Sequence, residues 1–193
     1  MKKIPTLFER VFDGHKIVDI LPNVTDGCED AFKNGIATVK VDGSCCAVIN
    51  GEFYKRYDAK AGKPIPEGAI PCQEPDPVTG HLPCWVKCNR EDKGDKWFWK
   101  AYDATFTNND ITPENGTYEA IGRHFNGNPY MLATDILEKH GTDIIDGLTR
   151  DFESIREYLK EHYIEGIVFW LDDKPVCKIK RSDFGFEWNK KRK

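Results

Sequence analysis

Apolar and polar positions change period along this chain, and the changes mark its elements. Residues 36 to 57 alternate with a period of two: Ile36 to Lys40, then Cys45 to Ile49, then Phe53 to Tyr57. That period belongs to strands with one buried face. Asn50-Gly51 separates the last two runs and predicts a tight hairpin. Asp42-Gly43 turns the chain after the strand that ends at Lys40. Lys96 to Tyr102 and Thr117 to Ile121 read as further strands. Phe152, Ile155, Tyr158 and Leu159 then fall on one face of a helix predicted over Asp151 to His162. Ile164 to Trp170 has the apolar run of a buried strand. Asp172-Asp173-Lys174-Pro175 turns it back into Val176 to Lys180.

Two stretches break these periods. Residues 1–35 read as a short helix or loop leading in. Residues 58–96 hold six prolines and read as a long, stiffened loop, of the kind that covers or serves a site. No repeat or low-complexity tract is present. Pattern alone gives only a mixed, strand-rich chain. It reads as a single domain over residues 1–193, with no room for a separate C-terminal domain.

Composition narrows the classes. Apolar residues are 39% and aromatics 12%, enough for a packed core. No apolar run approaches the length of a membrane span, so no membrane partner is expected. No apolar segment follows Lys2-Lys3, which argues against a secretory signal. Seven cysteines are scattered without a pairing pattern and read as thiols of a reducing, cytoplasmic compartment. The net charge of −4 excludes a chain that coats polyanions by bulk charge. Any nucleic-acid contact must come from a local basic cluster. The basic tail, Asn189 to Lys193, is one such cluster.

Candidate chemistry lies in four places. Lys40, in Lys40-Val41-Asp42-Gly43, is a lysine at a strand end before a tight turn. Such an amine is a nucleophile when partly neutral. Glu119 sits in a strand-like run. Glu165 adjoins a strand that reads apolar on both faces, where a carboxylate needs a partner or a metal. Lys178 and Lys180 are two apart on a strand, so both ammonium groups share one face while Ile179 points away. Same-face lysines await something anionic. A fifth set, Cys72, His81, Cys84 and Cys88, could ligate zinc and stiffen the proline loop.

Lysine, carboxylate, carboxylate, paired lysines: this order resembles the covalent nucleotidyltransferase superfamily of polynucleotide ligases and mRNA capping enzymes. Lys40 matches the lysine that becomes covalently joined to a nucleoside monophosphate. Glu119 matches a carboxylate that meets the ribose, and Glu165 one that supports nucleotide and metal. Lys178 and Lys180 match the lysines that hold the phosphates, and Arg56 the arginine that grips them. A narrower resemblance joins Arg56-Tyr57-Asp58, Gly80-His81-Leu82-Pro83, Trp85-Val86, Gly127-Asn128-Pro129-Tyr130, Ile164 to Val168 and Lys178-Ile179-Lys180-Arg181. These segments look like the small 5′-to-3′ RNA ligase family that includes a vertebrate repair ligase. Cys84 departs from it, standing where glycine is expected.

The resemblance implies an α+β nucleotidyltransferase domain: two packed, largely antiparallel sheets with the nucleotide between them and flanking helices. It implies ATP with Mg2+ or Mn2+, Glu165 being the metal's nearest protein ligand. The substrate would be RNA with 5′-phosphate and 3′-hydroxyl ends, without an obligate protein partner. Phe125, Tyr130 and Phe169 are the aromatics considered for stacking on adenine. A DNA ligase, a capping guanylyltransferase and a non-catalytic RNA-end-binding module remain open at this point.

Overall fold

The structure is a computed structural model, and it describes residues 2–14 and 16–189. The basic residues Lys190 to Lys193 lie outside the described residues. The chain divides into two compact units. Asp42–His140 forms one. Lys3–Val41 and the chain from Gly141 onward form the other.

The discontinuous unit opens with an antiparallel hairpin, β1 (Phe8–Asp13) and β2 (Lys16–Val24). A short helix α1 (Glu29–Asn34) and strand β3 (Ile36–Lys40) follow. The expected helix or loop lead-in is thus mostly a strand pair. Its signal is weak because much of the hairpin is exposed, so little alternation marks it. 

The continuous unit contributes β4 (Ser44–Ile49), β5 (Glu52–Ala59), β6 (Ile70–Pro71) and β7 (Leu82–Lys87). Helix α2 (Lys96–Thr105), β8 (Gly116–Ile121) and β9 (Ile136–Lys139) complete it. Its sheet is antiparallel, in the order β6-β7-β5-β4-β8-β9. Asn50 and Gly51 make the β4–β5 turn, both with positive φ, as the hairpin signal requires. Two expectations are corrected here. The proline-rich stretch is not all loop, because β7 pairs with β5 from Tyr54↔Lys87 to Ala59↔Leu82. Lys96 to Tyr102 is helical rather than a strand. Its aromatics favour strands, but Phe98, Ala101, Tyr102 and Phe106 recur at helical spacing and pack on Phe53, Tyr118 and Leu137 of the sheet.

The chain then returns to the first unit with α3 (Phe152–Glu161), β10 (Gly166–Leu171) and β11 (Lys174–Lys180). Asp151 caps α3 by accepting from the Ser154 N–H, and Ile155 and Leu159 are buried on the expected face. An antiparallel sheet runs β11-β10-β3. Ile167, Phe169, Cys177 and Ile179 enter one core with Leu7, Phe8, Phe32, Ile155 and Leu159. Both units are therefore antiparallel sheets with few helices, an α+β arrangement. Among the described residues no helix is long and apolar enough to cross a membrane.

Candidate functional site

The three-stranded sheet gathers one carboxylate and three lysines. Gly166 is the ladder partner of both Lys40 on β3 and Lys180 on β11. Because Cys177 and Ile179 point into the core, Lys178 and Lys180 point to the opposite face. Glu165 immediately precedes β10 and is 5% exposed. Its Oε2 lies 2.5 Å from Lys40 Nζ and its Oε1 lies 2.7 Å from Lys180 Nζ. The partner that a buried carboxylate needs is thus a pair of ammonium groups.

Gly166 is required by this approach. A Cβ there would collide with the Ile179 carbonyl and the Lys180 Cα. Lys178, next to the same group, has its pKa lowered to about 8. Burial is the main cause, followed by the charges of Lys40, Lys180 and Arg10, with Glu165 opposing. Arg10 comes from β1, in the segment read from sequence as lead-in. It pairs with the buried Asp183 at 2.6 Å, whose other oxygen accepts from the Lys180 N–H. Nothing in the sequence pattern around Arg10 marks it, since much of β1 is exposed.

In the other unit the Asp42-Gly43 turn is held at several points. The Asp42 N–H donates to the Tyr130 hydroxyl at 2.7 Å, and Asn126 donates to the Asp42 carboxylate at 2.5 Å. The Gly43 N–H donates to Glu119 Oε1 at 3.1 Å. A Cβ on Gly43 would strike the Ala120 carbonyl and Ile121. Glu119 faces Cys45 across the β4–β8 ladder. Its Oε2 lies 2.8 Å from His140 Nε2, and His140 Nδ1 lies 3.0 Å from Thr117 Oγ1. Sequence reasoning missed His140, which follows β9 with no motif around it. Its neighbours come from the strand register: Thr117 and Glu119 share a face of β8.

Arg56 donates to Asp58 at 3.1 Å, and Lys55 pairs with buried Asp95. Alternation puts these two basic side chains on opposite faces of β5. Phe125 and Phe169 are core residues at 5% and 0% exposure, which removes them as stacking candidates.

The proposed zinc ligands are not gathered. Among the described residues, no three of Cys72, His81, Cys84 and Cys88 bring ligand atoms within 4.8 Å of one another. The reason is β7: Cys84 lies within it and Cys88 just beyond its end. Four residues of extended chain span about 13 Å. Cys88 is instead core, beside Phe53 and Ala101.

No family model matches the chain. Curated relatives do. The chain is 28% identical, over an alignment 223 positions long, to RNA ligase 1 of Rattus norvegicus, covering 80% of this chain and 69% of the rat protein. It is similarly 28% identical to RNA ligase 1 of Mus musculus, covering 80% and 68%. It is 26% identical to RNA ligase 1 of Danio rerio, covering 79% and 68%. The family resemblance read from short motifs thus extends over most of the chain.

Proposed function

We propose that this chain is an ATP-dependent RNA ligase that joins 5′-phosphate to 3′-hydroxyl ends through a lysyl-AMP intermediate. The observation that carries the reading is the Lys40–Glu165–Lys180 triad with Lys178 beside it. Support also comes from the similarity to proteins named RNA ligase 1.

In this reading Glu165, in contact with Lys40 Nζ, positions that nitrogen for attack, and the ammonium proton leaves to solvent. Lys40 Nζ then attacks the α-phosphorus of ATP. The P–N bond forms as the bond to the β-phosphate breaks, and pyrophosphate leaves. Lys178 and Lys180 offset the charge of the phosphates. The AMP passes to an RNA 5′-phosphate, freeing Lys40. A 3′-hydroxyl then displaces AMP and closes the phosphodiester. Glu119 is assigned to the ribose hydroxyls and Arg56 to the phosphates.

Magnesium is treated as part of the substrate, MgATP. Both Glu165 oxygens carry ammonium groups and Lys178 stands nearby, so the chain's own residues here do not fit a dication, and no step is routed through one.

The test is autoadenylylation. Protein is mixed with magnesium and ATP labelled on the α-phosphate, then denatured and examined for retained label, beside GTP and a Lys40→Ala variant. Label from ATP that is absent from the variant is the expected result. Label from GTP alone would indicate a guanylyltransferase. No label, from folded protein shown by mass to carry no AMP beforehand, would favour an RNA-end-binding module.

A further inference from the structure

The continuous unit holds a second cluster with its own chemistry. Cys45 Sγ, a Glu119 carboxylate oxygen and a His140 ring nitrogen all lie within 4.8 Å of one another. We propose that Cys45, Glu119 and His140 form a binding site for a zinc-class divalent cation, with solvent as the fourth ligand. The site needs neither nucleotide nor RNA and does not rest on the function proposed above, but it uses the same Glu119 carboxylate, so metal and ribose would occupy it in mutual exclusion.

The donor set selects the metal. One sulfur, one imidazole nitrogen and one carboxylate oxygen suit zinc, whereas magnesium and calcium take oxygen alone. The three donors sit on rigid elements. Cys45 and Glu119 are ladder partners in the middle of the six-stranded sheet, and His140 directly follows β9. 

The surroundings orient each donor. Gly43 N–H takes Oε1 of Glu119 and leaves Oε2 aimed at the ring. Thr117 Oγ1 takes Nδ1 of His140, which leaves Nε2 as the ligand nitrogen. Ligating histidines are commonly fixed in this way through their second nitrogen. The His140 and Glu119 side chains keep 14% and 12% exposure, which leaves solvent as the source of the fourth ligand. 

On binding, the Cys45 S–H proton is released to solvent and a metal–sulfur bond forms.

Cobalt(II) is the probe, because a thiolate ligand gives it a charge-transfer band. Titration of the full chain without nucleotide should give that band at one cobalt per chain, and zinc should abolish it. Cys45→Ser should remove the band and Cys72→Ser should keep it. Thr117→Val should weaken cobalt binding by about 10- to 100-fold. Circular dichroism checks folding, and His140→Gln replaces Cys45→Ser if that variant does not fold. A folded wild-type chain without the band overturns the site. So does a band that survives Cys45→Ser, which would belong to other thiols, or one that His140→Gln leaves unchanged, which would take the imidazole out of the site.

Discussion

Lys40 Nζ and Glu165 Oε2 stand 2.5 Å apart, although 125 residues separate them in the chain. The contact exists because β3 and β10 pair with Lys40 opposite Gly166. Removing the negative charge leaves Lys40, Lys178 and Lys180 facing one another. Glu165→Gln should therefore lower stability by about 1–3 kcal/mol, read by urea denaturation. The loss should shrink when pyrophosphate is added as a counter-anion. An unchanged midpoint would show that the triad contributes nothing net.

Gly166→Ala should cost about 1–3 kcal/mol, because the added methyl meets backbone rather than a movable side chain. The same variant should lose lysyl-AMP formation, since relief of the collision displaces Lys180 from Glu165. Thermal melting and the labelling assay, run on one preparation, separate the two effects.

Lys178 gives a pH signature. Its folded pKa, about 8, lies below the ordinary 10.5, so the charged form is disfavoured in the folded state. That cost is fully present below pH 8. It is relieved as pH rises from about 8 to 10.5, where the folded chain releases the proton first. Lys178→Met should thus be more stable than wild type at pH 7, by about 1–3 kcal/mol. The difference should narrow above pH 8. Denaturation at pH 7 and pH 9.5 decides it; a gap that widens with pH contradicts the assignment.

Nucleotide binding should show the opposite face of the same titration. A triphosphate favours charged Lys178, so ATP affinity should fall as pH passes through about 8. Lys178→Arg, which keeps its charge, should flatten that dependence. Equilibrium binding of a non-hydrolysable ATP analogue measures both.

Thiol reactivity should be uneven. Burial raises the Cys45 and Cys88 thiols to about 12 and also raises Cys28, Cys46, Cys84 and Cys177. At pH 8 a thiol of pKa 12 is roughly one part in ten thousand thiolate. Iodoacetamide on the native chain should modify half-buried Cys72 first, as peptide mass spectrometry would record.

How much of this was legible in the sequence depends on the range of the interaction. The β4–β5 hairpin was readable because Asn50-Gly51 fixes it locally. The β10–β11 pair was readable because its apolar run and turn are contiguous. Helix α2 was misread because its aromatics are strand formers, and only the sheet beneath them selects the helix. The face shared by Lys178 and Lys180 followed from period two alone. The pairing of Glu165 with Lys40 and Lys180 did not, since it needs the register of three strands. His140 and Arg10 were invisible for the same reason. The zinc set failed because spacing along a sequence says nothing about distance until the local conformation is known, and β7 is extended.

The split of one unit around the other has a consequence for synthesis. Asp42–His140 is a continuous segment and can fold as soon as it leaves the ribosome. Lys40 emerges before it, yet its strand partner β10 and Lys180 are made more than a hundred residues later. Long-range pairing of this kind closes late. A nascent chain therefore carries Lys40 without its carboxylate until β10 has been made. The order in which the strands arrive thus sets when Lys40 can meet Glu165.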